Sequence, residues 1–166
     1  MSDGVEFFAR GVIIGVGAST LMDIWALFSR RAFHIQGLDY AMLGRWIGHF
    51  PQGRFFHERM ASADPVRGER PLGWAAHYSI GITFAFLLLA IWGVDWARSP
   101  TIWPPMLVGL GTIVAPWFVM QPAMGAGMAA CRTPNPRAAR LRNLATHTVY
   151  GIGLFASALA LSILWI

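Results

Sequence analysis

Four long runs of apolar residues dominate the pattern of the chain. They cover residues 5–29, 72–94, 104–130 and 143–166, and the segments between them contain glycine, proline and arginine residues that interrupt the apolar pattern. Each run provides the roughly 20 residues that an α-helix needs to cross about 30 Å of hydrocarbon. We therefore predict an all-α integral membrane four-helix bundle, which forms a single transmembrane domain over residues 1–166.

A shorter amphipathic segment lies between the first two runs, at residues 38–50. Its apolar side chains recur three and four residues apart, at Tyr40, Leu43, Trp46, Ile47 and Phe50. This spacing places them on one face of a helix. We predict an interfacial helix that lies on the membrane surface in the first loop and ends before Pro51.

The composition agrees with a protein that is embedded in lipid. Hydrophobic residues make up 55% of the chain and charged residues 13%, with a mean hydropathy of +0.49, whereas soluble domains carry about 25% charged residues. This excludes a large extramembrane domain. The single cysteine, Cys131, excludes an intrachain disulfide framework.

The basic charge of the chain indicates its orientation. The net charge is +5 and all basic residues other than histidine are arginine. Eleven of the 13 arginines lie in residues 30–70 and 131–142, and only Arg10 and Arg98 lie elsewhere. Because short basic loops resist translocation, both segments are predicted to face the cytoplasm and both termini the other side. The basicity therefore reports topology, and the expected partner is the lipid bilayer with no nucleic acid.

Four polar residues interrupt the apolar runs, namely Asp23, His77, Gln121 and His147. Asp23, His77 and His147 lie five to seven residues from the nearest inner arginine, which corresponds to a depth of about 8 to 10 Å. Each of the four is spaced four residues from a small residue, so it is expected to point into the bundle. We predict that they form an intramembrane site for ligand binding or proton relay.

The same residues allow two cofactor hypotheses. His77 and His147 are candidate axial ligands of a b-type haem, and Asp23 with both histidines is a candidate ligand set for a divalent metal. The alternative is structural, with each imidazole donating to a carbonyl or to Asp23. Close small-residue packing leaves little room for a porphyrin, which favours the structural alternative over haem.

A second candidate site lies in the inner loop. Its charged residues are Arg45, His49, Arg67, Glu69 and Arg70, and arginine forks of this kind bind phosphate or carboxylate groups. We predict a head-group or anion-binding site there. The alternative is a basic loop that only contacts anionic lipids.

No catalytic motif is present: the chain has no glycine-rich phosphate loop, no zinc-protease helix motif and no nucleophile elbow. A non-enzymatic role in binding or transporting a small molecule or ion is therefore favoured. The alternatives are a haem- or metal-binding redox subunit and a structural subunit of a larger membrane complex. A homo-oligomer is compatible with each of them.

Short motifs along most of the chain carry a resemblance to a known family. They are MDIWA at 22–26, LDY at 38–40, GRWIGH at 44–49, RGER at 67–70, GWAAHY at 73–78, MQPAMGAG at 120–127 and TPNP at 133–136, followed by His147. In these the chain resembles uncharacterised bacterial four-helix inner-membrane proteins that share a domain of unknown function. The resemblance implies a multi-pass protein of the bacterial inner (cytoplasmic) membrane, for which the arginine distribution places both termini in the periplasm, and it implies no activity.

Overall fold

The structure is a computed structural model that describes residues 2–164, and within them the chain is helical with no β-strand. Its α-helices are α1 (Asp3–Phe33), α2 (Tyr40–Gly48), α3 (Glu69–Arg98), α4 (Trp103–Gly111), α5 (Gln121–Ala123) and α6 (Pro136–Leu164). Short 3₁₀ turns follow α2 and α5 and precede α3, and a π turn, Pro116–Met120, precedes α5. The predicted all-α fold class is confirmed.

Four helical stretches of the described residues are long and apolar enough to cross a membrane: α1, α3, Trp103–Ala123 and α6. Three of them extend beyond the predicted apolar runs, because arginine-rich flanking residues remain helical. Helix α6 begins at Pro136, a residue whose missing N–H costs nothing at a helix start. Residues 165 and 166 of the predicted fourth span lie outside the described part of the chain.

The third span differs from the prediction, which extended it over residues 104–130. Helix α4 ends at Gly111, and in the π turn the N–H of Gln121 donates to the carbonyl of Pro116. Helical structure ends at Ala123, before two glycines in left-handed conformation, Gly125 (φ 88°) and Gly127 (φ 74°). The regular α-helix of this stretch is therefore interrupted between Gly111 and Gln121, and both Pro116 and Pro122 lack the N–H that a regular helix requires.

A helix is present in the segment that was predicted to be interfacial, but it is shorter than residues 38–50. It begins at Tyr40, where the Asp39 side chain accepts a hydrogen bond of 2.9 Å from the N–H of Ala41. A Cβ atom at Gly44 would lie 2.6 Å from the Gly73 nitrogen and would also meet the carbonyl oxygen of Glu69. Helix α2 therefore packs directly on the backbone at the start of α3.

The contacts divide the chain into two compact units. The first unit contains residues 2–37, 78–112 and 145–164 of the described part. Its core includes Ile14, Ala18, Ala85, Leu88, Leu89, Tyr150, Leu154 and Ala158. The second unit contains residues 38–77 and 113–144, with Leu43, Met60, Ala123 and Ala130 buried.

Glycines allow close contacts between the helices of the first unit. A Cβ atom at Gly15 of α1 would lie 2.5 Å from the Ile82 Cα of α3, and one at Gly109 of α4 would lie 2.6 Å from the Gly151 Cα of α6. The backbones approach this closely because glycine has no side chain. Large apolar side chains of the same helices, such as Phe8 and Leu107, stay exposed, a distribution compatible with a membrane environment.

Candidate functional site

Asp23 lies in the first unit and receives a hydrogen bond from helix α3. The Tyr78 hydroxyl donates to Asp23 Oδ2 over 2.9 Å and lies 3.4 Å from the Thr20 hydroxyl, and these groups are half-buried or exposed. An ionised carboxylate only accepts hydrogen bonds, so the tyrosine hydroxyl is the donor in this contact. The contact joins α1 to α3 through polar groups within apolar helices.

His147 lies in the same unit, on α6, and contacts the end of α4. Its Nδ1 is 3.1 Å from the carbonyl oxygen of Gly109 and 3.0 Å from the Thr112 hydroxyl. A carbonyl oxygen only accepts, so the contact with Gly109 requires the proton on Nδ1. This tautomer leaves the lone pair of the neutral ring on Nε2.

His77 lies in the second unit within a group of aromatic rings. Its Nε2 is 3.2 Å from the Tyr40 hydroxyl, and the two rings stack with their centroids 4.5 Å apart. The Trp74 ring packs on Tyr40 at 4.4 Å and meets the His77 ring edge to face. The start of α2 and the first turns of α3 therefore hold the imidazole in place.

Gln121 also lies in the second unit, directly after the π turn. Its Nε2 donates to Asn143 Oδ1 over 3.3 Å. Its Oε1 is buried and has no hydrogen-bond partner, and the same holds for the indole Nε1 of Trp117 one turn earlier. An acceptor and a donor are thus both unsatisfied on one broken helical stretch.

The four predicted site residues are divided between the two units, and each has a hydrogen-bond neighbour within its own unit. Asp23 and His147 belong to the first unit, and His77 and Gln121 to the second. Tyr78, Thr112, Tyr40 and Asn143 each form a hydrogen bond with one of them. Among residues 2–164, no group of three or more His, Cys, Asp or Glu side chains could hold a metal ion.

The residues of the predicted anion site have separate roles in the second unit. Arg45 forms a bidentate pair with Glu69, with both N···O distances 2.8 Å, and it also donates to the carbonyl of Ala63. The hydrogen bonds to Glu69 raise the pKa of Arg45 above its usual range. Arg45 and Glu69 thus hold the loop together, while Arg67 and Arg70 are exposed.

His49, the remaining member of that set, pairs with His57, which was not included in the predicted anion site. His49 is 1% exposed, and its Nδ1 lies 2.8 Å from Nε2 of His57, with the two rings stacked. Burial lowers the pKa of His57, and the charges of His49 and Arg54 lower it further. The His57 Nδ1 is buried and has no partner. A pairing of this kind depends on the path of the loop and leaves no spacing signal in the sequence.

A cluster of charges in the first unit was also missed. Glu6 accepts from Arg10 Nε over 2.7 Å and from Arg98 Nη2 over 2.6 Å, and Arg10 is 3% exposed. Arg10 also donates to the carbonyl of Ala97. The spacing of Glu6 and Arg10, four residues apart on one helix, was the available signal.

Comparisons with known proteins place the chain in a family whose function has not been determined. No curated protein and no solved structure matches it. The family described as protein of unknown function (DUF2938) matches residues 12–161, which is most of the chain. The protein therefore belongs to the DUF2938 family.

Proposed function

We propose that this protein spans a membrane four times and binds a small polar solute at Gln121, in the broken third span. The observation that carries the proposal is the buried Oε1 of Gln121, which has no hydrogen-bond partner. A buried acceptor of this kind costs free energy in the empty protein unless a ligand or water donates to it. The site is therefore suited to a ligand that brings a donor.

The second unsatisfied group narrows the class of ligand. The indole N–H of Trp117 is a donor only, and it lies four residues before Gln121, on the adjacent turn. A ligand with a hydroxyl or a primary amide group can accept from the indole N–H of Trp117 and donate to the side-chain carbonyl of Gln121 at the same time. A metal cation cannot do both. We therefore propose a small neutral solute that carries a hydroxyl or an amide group.

The backbone around Gln121 supports a binding role. Membrane proteins tolerate interrupted helices where the freed backbone is buried in protein or lines a cavity. Transporters place substrate sites at such discontinuous helices, and π turns are frequent at functional sites. Asp23, His77 and His147 remain further candidates for binding or proton relay, because ionisable groups within apolar helices mark solute and proton pathways.

Replacement of Gln121 tests the proposal directly. We expect Gln121→Met, which keeps the side-chain length and removes the amide, to weaken solute binding about tenfold, since one hydrogen bond to the solute is lost. The measurement is the ¹H–¹⁵N resonance of the Trp117 indole, assigned with Trp117→Phe, during titration with glycerol, urea or acetamide in mild detergent. At least one of these probes should shift the resonance saturably in the unaltered protein.

The matched control is Gln52→Met, which makes the same change at an exposed position outside the spans. It should leave the titration unchanged. The proposal fails if none of the probes shifts the Trp117 resonance saturably, because the site would then hold water only. It also fails if Gln121→Met and Gln52→Met give equal titrations.

The redox alternative has less support around His147. A haem on that residue would need space for a macrocycle, yet α4 and α6 pack backbone to backbone at Gly109 and Gly151. An absorption spectrum and elemental analysis of purified protein separate the two hypotheses. A Soret band or stoichiometric metal that is lost in His77→Ala with His147→Ala would replace solute binding by a redox role.

The proposed topology places residues 30–70 and 131–142 in the cytoplasm of a bacterium and both termini in the periplasm. Cys131 is exposed and is the single cysteine of the chain, so it reports this orientation without any substitution. We expect a membrane-impermeant maleimide to label Cys131 in inverted inner-membrane vesicles and not in intact spheroplasts.

The reciprocal control uses Ser99, an exposed residue between α3 and α4. With Cys131→Ser in place, Ser99→Cys should be labelled in spheroplasts and protected in inverted vesicles. Labelling of Cys131 in spheroplasts would reverse the proposed orientation.

A further inference from the structure

We propose that a pocket in the second unit, lined by Arg54, His57, Arg59 and Ser62, binds a phosphate group. The pocket has a volume of about 580 Å³ and is built from the loop between α2 and α3. It contains none of the arginines that the sequence analysis selected for anion binding. It is also separate from the Gln121 site, so the two proposals stand or fall independently.

The loop holds the pocket in a defined shape. The N–H of His57 donates to the carbonyl of Ala123 over 2.8 Å, and the N–H of Met60 donates to that of Met124 over 3.1 Å. A Cβ atom at Gly125 would meet the carbonyl oxygen of Glu58, so the loop backbone lies directly on the chain after α5. These contacts preorganise the pocket, which lowers the entropic cost of binding.

His57 supplies the observation that points to a ligand. Its Nε2 is engaged with His49 Nδ1 and its ring is stacked on that of His49, which fixes the direction of the other ring nitrogen. That nitrogen, Nδ1, is buried without a partner. When His57 is protonated, Nδ1 is a charged donor, and an oxyanion is the partner that satisfies it.

The surrounding charges favour an anion. Arg54 and Arg59 carry two permanent positive charges, and Ser62 offers a hydroxyl donor. Glu58 also lines the pocket and opposes an anion with one negative charge. Arg54 lies 3.5 Å from Asp64, but both side chains are largely exposed, so this pair is weak and Arg54 remains able to bind.

Binding and protonation are expected to be linked. The titratable groups around His57 are His49 on its Nε2 side and Arg54, Glu58 and Arg59, which line the same pocket, and the carbonyl of Ala123 in α5 accepts from its backbone N–H. In the empty pocket, burial and the positive neighbours lower the pKa of His57. A bound oxyanion favours the protonated ring, so it raises this pKa, and by reciprocity lower pH tightens binding.

The test follows the ring resonances of His57 by NMR in detergent micelles, assigned with His57→Gln. Inorganic phosphate is titrated against chloride at constant ionic strength, because salt screening alone changes surface electrostatics. We expect saturable shifts at His57. The pH titration is repeated with sulfate, whose charge is constant between pH 5 and 8, and sulfate should raise the pKa of His57.

A pair of matched double variants locates the site. Arg54→Gln with Arg59→Gln should weaken phosphate binding more than tenfold, because two charge-assisted contacts are lost. Arg67→Gln with Arg70→Gln removes the same charge from exposed positions that do not line the pocket and should leave binding within about twofold. Equal losses in both double variants would overturn the proposal, since the effect would then be the diffuse charge of the loop.

Two sources of the phosphate group are distinguished with nanodiscs. If the ligand is a lipid head group, discs that contain phosphatidic acid shift the His57 resonances relative to discs of phosphatidylcholine alone, with no phosphate in solution. If the ligand is a free phosphate ester, only dissolved phosphate produces the shift. Absence of a response to both overturns the proposal.

Discussion

We expect Gly15→Ala to destabilise the protein by about 2 kcal/mol, a cost typical of forcing extra atoms into a packed contact. The added Cβ would lie 2.5 Å from the Cα and 2.9 Å from the nitrogen of Ile82. Both are backbone atoms, so no side-chain rotation relieves the overlap and helices α1 and α3 must separate. Thermal unfolding in mild detergent should show a midpoint lower by about 5 °C or more.

Gly111→Ala is the matched control for this substitution. Gly111 also lies in a helix of a candidate span, but a Cβ atom there would meet nothing within 4 Å. Alanine has the higher helix propensity, so this variant should be neutral or more stable by up to about 1 kcal/mol. Equal midpoints for the two variants would show that the contact between α1 and α3 tolerates a methyl group.

The number and approximate position of the long apolar helices could be predicted because they follow from hydrophobicity alone. A run of about 20 apolar residues has few alternatives to a spanning helix. The end of the third span could not, because residues 124–130 are as apolar as those before them. Two glycines with positive φ, Gly125 and Gly127, end the helix there, and hydropathy is insensitive to that property.

The partners of the polar residues were only partly predictable. The structural reading, in which an imidazole donates to a carbonyl, describes the contact of His147 with Gly109. Tyr78 and Tyr40, which bond Asp23 and His77, were not anticipated as partners, because a tyrosine beside an apolar run is equally typical of the membrane interface. The choice between these roles depends on helix rotation, and spacing along one helix does not determine the rotation of its neighbour.

The charged residues around the loop between α2 and α3 could be predicted from the sequence only in part, for a different reason. Arginine and histidine were selected there by charge and by proximity in sequence, which led to Arg45 and Glu69. Those two side chains neutralise each other in a bidentate pair, so they are poor candidates for binding an external anion. The pocket arginines are Arg54 and Arg59, and identifying them required the path of the chain around His57.

The charge cluster at the start of α1 gives the largest stability effect that we expect. Glu6 is shared between Arg10, which is 3% exposed, and Arg98. Glu6→Gln removes a carboxylate charge that Arg10 contacts at 2.7 Å and leaves the buried guanidinium beside a second arginine. Removing one partner of a buried pair is strongly destabilising, and we expect the midpoint of thermal unfolding to fall by about 10 °C.

Two further variants separate burial from simple charge removal. Asp95→Asn also removes a carboxylate that contacts Arg98, at 2.7 Å, but its side chain is 90% exposed, so the midpoint should change little because exposed pairs contribute little. Glu6→Gln with Arg10→Met removes both members of the buried pair and should recover most of the lost stability, since the buried guanidinium is removed together with the carboxylate charge. If this double variant is less stable than Glu6→Gln alone, the other contacts of Arg10, such as its hydrogen bond to the Ala97 carbonyl, stabilise the protein, and the buried charge is not the cause of the instability.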